Sequence, residues 1–236
     1  MIAELKNKKP LLMEDLTWKD VEGYLKKRNE ILIPFGSVEE HGYHLPLFTD
    51  SLIAFAICKE LSRRTGILVA PVISYGICNT TRAYKGTATP NFDSFKAYVK
   101  DILSSFAGQG FKRFFLVSGH LGSSHVSAIK EACREAGADK NSKFLDMREI
   151  SIDKIISSAP FHACEAETSL MLYLHEDKVD MKKAVDEKIV KKKFSLQSVK
   201  PTKSGVFGVP SKATKGKGKK IFEKSLREFE KSLIEH

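Results

Sequence analysis

No stretch of this 236-residue chain comes near the roughly 18–20 consecutive apolar residues of a membrane span, so an integral membrane protein is not expected. The opening residues, Met1 to Lys6, lack the apolar core of a signal peptide, and the protein is read as cytoplasmic. Cysteine is scarce. Cys58, Cys78, Cys133 and Cys164 are widely spaced and form no CxxC pair, which points to free thiols rather than a disulfide frame. Cys58 and Cys133 fall on apolar helical faces and read as core residues, whereas Cys164 sits among candidate site residues. From Lys188 to Lys220 there is no arginine and no acid, and the only aromatics are Phe194 and Phe207. A nucleic-acid surface normally interleaves aromatics for base stacking. The eleven lysines of this stretch, which dominate the net charge of +10, therefore read as a solvated face rather than a nucleic-acid site.

The apolar share of 42% is enough for a sizeable core, and the length suits one domain over 1–236. Four short apolar runs, Ile31–Phe35, Ile67–Val72, Arg113–Val117 and Lys143–Met147, read as buried parallel strands. Helical patterns separate them. Ser51 to Arg64 carries Ile53, Ile57 and Leu61 at a spacing of four, with Gly66 as a stop. Asp93 is placed to cap a helix ending near Gly108, and Ser123 or Ser124 one that stops near Gly137. A further helix is expected over Glu165 to His175, and a last one from about Ile221, after a lysine- and glycine-rich loop region at 195–220. The alternation predicts an α/β fold: a single domain with a mostly parallel central sheet and helices on both faces.

The densest chemistry lies in Gly36 to Asp50, directly after the first strand. Glu39, Glu40, His41, His44 and Asp50 fall within fifteen residues. Oxygen and imidazole donors suit Zn, Mn or Fe. Glu39 and His41, two apart in an extended strand end, share a side. Ser118-Gly119-His120-Leu121-Gly122-Ser123 follows the third strand and opens onto the same sheet edge, so topology carries His120 towards Glu39, His41 and Asp50. His162 and Glu167 open the helix at Glu165. Taken singly, each has a plain reading. Asp50 can cap a helix, His120 can be a polar loop residue, and Glu167 can favour a helix dipole. His44 reads as a supporting donor, and His125 and His175 as ordinary helix residues. Convergence of several strand-end donors is what favours a metal site, and two ions about 3.5–4 Å apart can polarise a carbonyl and activate water.

These segments resemble the creatininase family of metal-dependent amidohydrolases. Pro34 to Asp50 follows the pattern P-x-G-S-x-E-Q-H-G-x-H-L-P-x-x-T-D with unbroken spacing, except that Glu40 stands where the family commonly has Gln. Ser118 to Ser123 is similar to N-G-H-G-G-N, His162 to Ser169 to H-A-G-x-x-E-T-S with Cys164 in place of Gly, and Tyr84 to Thr87 to F-P-G-T. Ser204 to Pro210 with Ala213-Thr214 matches the late G-x-x-G-x-P and A-T stretch. The resemblance implies two divalent ions (Zn, Mn or Fe), with Glu39, Asp50 and His120 at one and His41 and Asp50 at the other. In the family's namesake a Glu two residues after the third-strand His completes the second site. Gly122 occupies that position here, and Glu167 is the expected substitute. His162 matches the family's proton-transfer His. The implied reaction is attack of a metal hydroxide on a non-peptide C–N bond of a small-molecule amide, either a cyclic amide or a formamide, and the implied assembly is a homohexamer. Creatinine itself is not the expected substrate, because the namesake's tryptophans before the H-A-G motif are replaced by Ile155, Ile156 and Phe161. The family's formamide hydrolase of a pyrimidine nucleotide is an alternative within the enzyme class, and a non-catalytic descendant binding a metal or an anion is one outside it.

Overall fold

A computed structural model describes residues 9–158, 161–187 and 202–235, so the 188–201 part of the lysine-rich stretch Lys188–Lys220 lies outside the described residues. Four strands, β1 (Glu30–Phe35), β2 (Leu68–Val69), β3 (Arg113–Ser118) and β4 (Ser142–Leu145), form one parallel sheet in the order β2-β1-β3-β4. Among the described residues six α-helices accompany them: α1 (Trp18–Leu25), α2 (Thr49–Thr65), α3 (Phe92–Gln109), α4 (Ser123–Glu135), α5 (Glu165–Leu174) and α6 (Lys215–Glu235).

Side chains alternate across the sheet, and both faces are buried. Leu32, Phe115 and Val117 pack with Ile53, Ile57 and Leu61 of α2, and with Leu170 and Leu226 of α5 and α6. Their neighbours Ile31, Ile33, Phe114 and Leu116 point the other way, onto Phe95, Val99 and Leu103 of α3 and Ile129 of α4. This period of two, with apolar residues on both sides, is why the strands read as continuous hydrophobic runs. The chain steps from β1 out to β2, then returns past β1 to β3. The crossover helices α2 and α3 therefore lie on opposite faces, and a crevice opens between the carboxyl ends of β1 and β3.

Several boundaries differ from the sequence reading. β2 is only two residues long; Ala70 N–H donates to Leu32 O at 2.8 Å, and contact with β1 resumes at Ile73, whose N–H donates to Pro34 O at 3.0 Å. Helix α3 is entered from Asn91 rather than Asp93, and α4 from Gly122. The last helix begins at Lys215, six residues before Ile221, so the end of the presumed 195–220 loop is helical. Thr214 Oγ1 accepts from Lys217 N–H at 3.2 Å. Gly218 lets this first turn lie against α5, since a Cβ there would meet Ser169 O at 1.8 Å. Helix α1 has no counterpart among the helices expected above. It opens with a capping box between Thr17 and Asp20.

Candidate metal centre

The crevice holds the candidate residues. Glu39 and His41 leave β1, Asp50 sits in the first turn of α2, and His120 leaves β3. His162 and the start of α5 close over them, tied to the late segment by the His162–Phe207 bridge, where Phe207 N–H donates to His162 O at 2.9 Å. Glu39, His41, Asp50 and His120 are all buried. Among the described residues three sets of donor atoms approach within 4.8 Å of one another: Glu39, His41 and His162; Glu39, Cys78 and His120; and His41, Asp50 and Glu167.

The hydrogen bonds tell which nitrogen of each ring is engaged. His120 Nε2 lies 2.9 Å from the Ile77 carbonyl, which can only accept, so Nε2 carries a proton and donates. Nδ1 of the same ring then faces Glu39 Oε2 at 2.8 Å and Asp50 Oδ2 at 3.1 Å. His41 repeats the arrangement. Its Nδ1 donates to Glu39 O at 3.1 Å, and its Nε2 meets Asp50 Oδ1 at 3.1 Å. Neutral rings would aim lone pairs at carboxylates, so positive charge belongs at both contacts. Protons supply part of it. Burial pulls both imidazoles down, but Asp50 and Glu39 outweigh it, pushing His41 up to about 10 and His120 well above the ordinary histidine value. Glu39 falls to about 2, because burial, which raises it, is overcome by His120 and His162. A proton on His120 Nδ1 hydrogen-bonds Asp50, while Glu39 Oε2, 2.8 Å from the same nitrogen, is buried and makes no hydrogen bond. A divalent cation would serve both oxygens at once. Histidines anchored on carbonyls by their far nitrogen are how proteins hold such ions, so the residues fit a metal.

Supporting side chains sharpen the geometry. Ser37 Oγ donates to Asp50 Oδ2 at 2.6 Å, and the Thr81 hydroxyl donates to Glu39 Oε1. Glu167 is the carboxylate whose proton affinity rises, because burial dominates, and its Oε2 accepts from Cys164 N–H at 3.3 Å. His162 Nε2 donates towards Glu40 O at 2.8 Å and Glu40 Oε1 at 3.0 Å, with its ring 4.5 Å from that of His41. His44 Nε2 lies within hydrogen-bonding distance of Thr168 Oγ1 at 2.9 Å. His125 is more than an ordinary helix residue. It is fully buried, takes Ile77 N–H on Nδ1 at 3.4 Å, donates from Nε2 to Ser118 Oγ at 3.3 Å, and packs against the His120 ring. Burial keeps it neutral, far below the usual histidine value. Thr81, Cys78 and His125 carried no motif in the sequence. All four cysteines are free and buried, as expected for thiols.

Among the described residues no helix is long and apolar enough to cross a membrane. The creatininase family model, described as creatinine amidohydrolase, matches residues 14–233. The chain is 30% identical over 200 residues to the creatinine amidohydrolase of Pseudomonas putida, covering 75% of this chain and 77% of that one. It is 27% identical over 209 residues to the mycofactocin precursor peptide peptidase of Mycolicibacterium smegmatis, covering 81% and 79%. Among solved structures, a tryptophan-to-alanine mutant of creatininase superposes with a TM-score of 0.88 at 25% identity, covering 96% of this chain and 98% of that one. A manganese creatininase gives 0.85 at 26%, covering 96% and 98%, and a Zn–Zn form of a creatininase variant gives 0.84 at 27%, covering 97% and 98%. Sequence and fold agree across nearly the whole chain, which belongs to the creatininase family of hydrolases.

Proposed function

We propose that this chain is a metal-dependent amidohydrolase that cleaves a C–N bond in a small cyclic amide or formamide. The observation that carries the reading is the pair His41 and His120, each anchored on a backbone carbonyl by one nitrogen and pressed against buried carboxylates by the other. Glu39, Asp50 and His120 would hold one divalent ion, and His41, Asp50 and Glu167 the second. Zinc and manganese are the metals to test first, with iron third, since creatininase structures carry the first two. Two such ions, when bound, polarise a carbonyl and make water nucleophilic near neutral pH.

The chain's own residues supply the rest. Asp50 offers one oxygen to each histidine, so it is the carboxylate able to span both positions. Ser37 and Thr81 fix the two acids against rotation. His162, with Nε2 committed to Glu40, presents its other nitrogen for proton transfer to the leaving amine. The restriction to non-peptide bonds has a specific challenger, because a relative is a peptidase. A screen of lactams, small amides, formamides, a formylated pyrimidine nucleotide and short peptides, with Zn, Mn and Fe each supplied, separates these substrates. His162→Ala is expected to keep its metal and lose about 10²–10⁴-fold in turnover. Glu167→Gln is expected to drop from two bound ions to one. Full turnover in the first variant removes His162 from the reaction, and two tightly bound ions in the second remove Glu167 from the centre. A homo-oligomer, hexameric by family resemblance, completes the proposal, and the mass in solution tests it.

A further inference from the structure

The loop after β2 delivers Cys78 to this centre. A ring nitrogen of His120, a carboxylate oxygen of Glu39 and Cys78 Sγ lie within 4.8 Å of one another. Cys78 is 1% exposed and in no disulfide, and its backbone is fixed by an N–H donated to Thr89 Oγ1 at 2.9 Å. The other cysteines have structural places. Cys58 and Cys133 lie in the two hydrophobic cores, and Cys164 precedes α5. Among the described residues, Cys78 is the one cysteine in a donor set able to hold a metal. The second observation is independent of the thiol. Glu39, whose carboxylate belongs to the same set, has a buried Oε2 that makes no hydrogen bond and meets His120 Nδ1 at 2.8 Å. A buried carboxylate oxygen beside an imidazole nitrogen and a sulfur is a combination that a cation satisfies and hydrophobic packing does not.

We propose that Cys78 is a thiolate ligand to the ion held by Glu39 and His120, making that position a mixed sulfur, nitrogen and oxygen site. The proposal rests on the metal-centre reading above and adds a ligand that none of the matched motifs carries. On ligation the Cys78 S–H bond breaks, its proton leaves to solvent, and the sulfur electron pair forms the bond to the ion, with no change of oxidation state. A coordinated cation deprotonates a thiol outright. A sulfur donor favours zinc or iron over manganese at this position. The competing reading is a small apolar side chain that merely fills space beside the centre.

The test loads the full-length chain with Co(II) after chelator treatment and compares wild type, Cys78→Ser, Cys78→Ala and Cys164→Ser, each checked for fold by circular dichroism. Wild type and Cys164→Ser are expected to show a near-ultraviolet thiolate-to-cobalt charge-transfer band. Both Cys78 variants should lose that band while keeping the visible cobalt bands. A measurement that needs no variant is X-ray absorption of the zinc-loaded wild type, with a sulfur expected at about 2.3 Å. Cobalt bound without the charge-transfer band, a zinc shell of nitrogen and oxygen only, or a band that survives in a folded Cys78 variant overturns the thiolate role and leaves the metal centre standing. A wild type that binds none of cobalt, zinc or manganese removes the centre itself, and this ligand with it.

Discussion

Glu40 lies between two candidate ligands in sequence, yet its carboxylate serves hydrogen bonds of its own. Oε1 accepts from His162 Nε2 at 3.0 Å, and Oε2 accepts from Gly42 N–H at 2.9 Å. Both oxygens are used, so the Gln common in the family would offer one acceptor to two donors. Glu40→Gln is expected to cost about 1 kcal/mol of stability, measured by denaturant unfolding, with His162 still held by the Glu40 carbonyl. Gly205 is harsher to change. Its φ is +80°, and a Cβ there would come within 1.8 Å of Glu40 Oε2. Gly205→Ala should displace the Glu40 carboxylate and leave His162 held by the Glu40 carbonyl alone, lowering turnover more than substrate affinity, and a steady-state kcat and KM comparison reads that split. Unchanged kcat would mean that His162 needs no support from the Glu40 carboxylate. At this scale the sequence carried Glu39, His41, Asp50 and His120 through dense spacing and strand-end topology. It did not carry Thr81, because one hydroxyl in a loop has no period, and it carried Ser37 only as a member of the Pro34–Asp50 pattern, without its role. His125 was equally hidden, since a histidine in a helix becomes a support for His120 only when β3 and α4 are packed.

The start of α5 acts as a clasp. Glu165 is fully buried and accepts from Ser157 N–H at 3.0 Å, Ser158 Oγ at 2.8 Å and Lys217 Nζ at 2.6 Å, joining a loop, α5 and α6. Burial opposes its charge, but Lys217 and the two serines outweigh burial and hold the carboxyl at about 2. A folded-state value below the ordinary 4.5 means the stabilisation is complete above about pH 4.5 and is lost as pH falls towards about 2. Glu165→Gln should cost about 1–3 kcal/mol near neutral pH. Its acid unfolding curve should lose part of its slope in that window, as followed by circular dichroism. A variant with the wild-type curve would show that the clasp adds nothing. The legibility of the elements follows the same logic. Strands buried on both faces and long helices with a four-residue spacing stood out. Helix α1 did not, although Thr17-x-x-Asp20 is a readable cap, because eight residues with half-buried apolar positions give a short pattern. The early start of α6 was obscured by Gly216 and Gly218, residues that weaken a helix in isolation but here let Gly218 pack on α5.

For the whole molecule, the question is what offsets a buried group of acids and histidines at the centre of the fold. Glu39, Asp50, His41 and His120 are withdrawn from water at a desolvation cost that isolated ion pairs seldom recover. Protons on the histidines balance the carboxylates in the metal-free chain. His41 has a folded-state value raised to about 10, so its contribution is complete below about pH 6.5 and fades as pH rises towards 10. Metal ions bound as proposed would take the place of those protons, so binding would release them and gain strength with pH. At free metal a hundredfold above the dissociation constant, linkage adds about 2.7 kcal/mol, or about 5–10 °C in Tm for a chain of this size. Thermal unfolding of chelator-treated protein, with and without zinc or manganese, should show that rise. It should be larger at pH 8 than at pH 6, and should shrink sharply in Asp50→Asn, which removes a charge shared by both histidines. A rise equal at both pH values would show that the metal displaces no proton from His41 or His120 and therefore binds elsewhere.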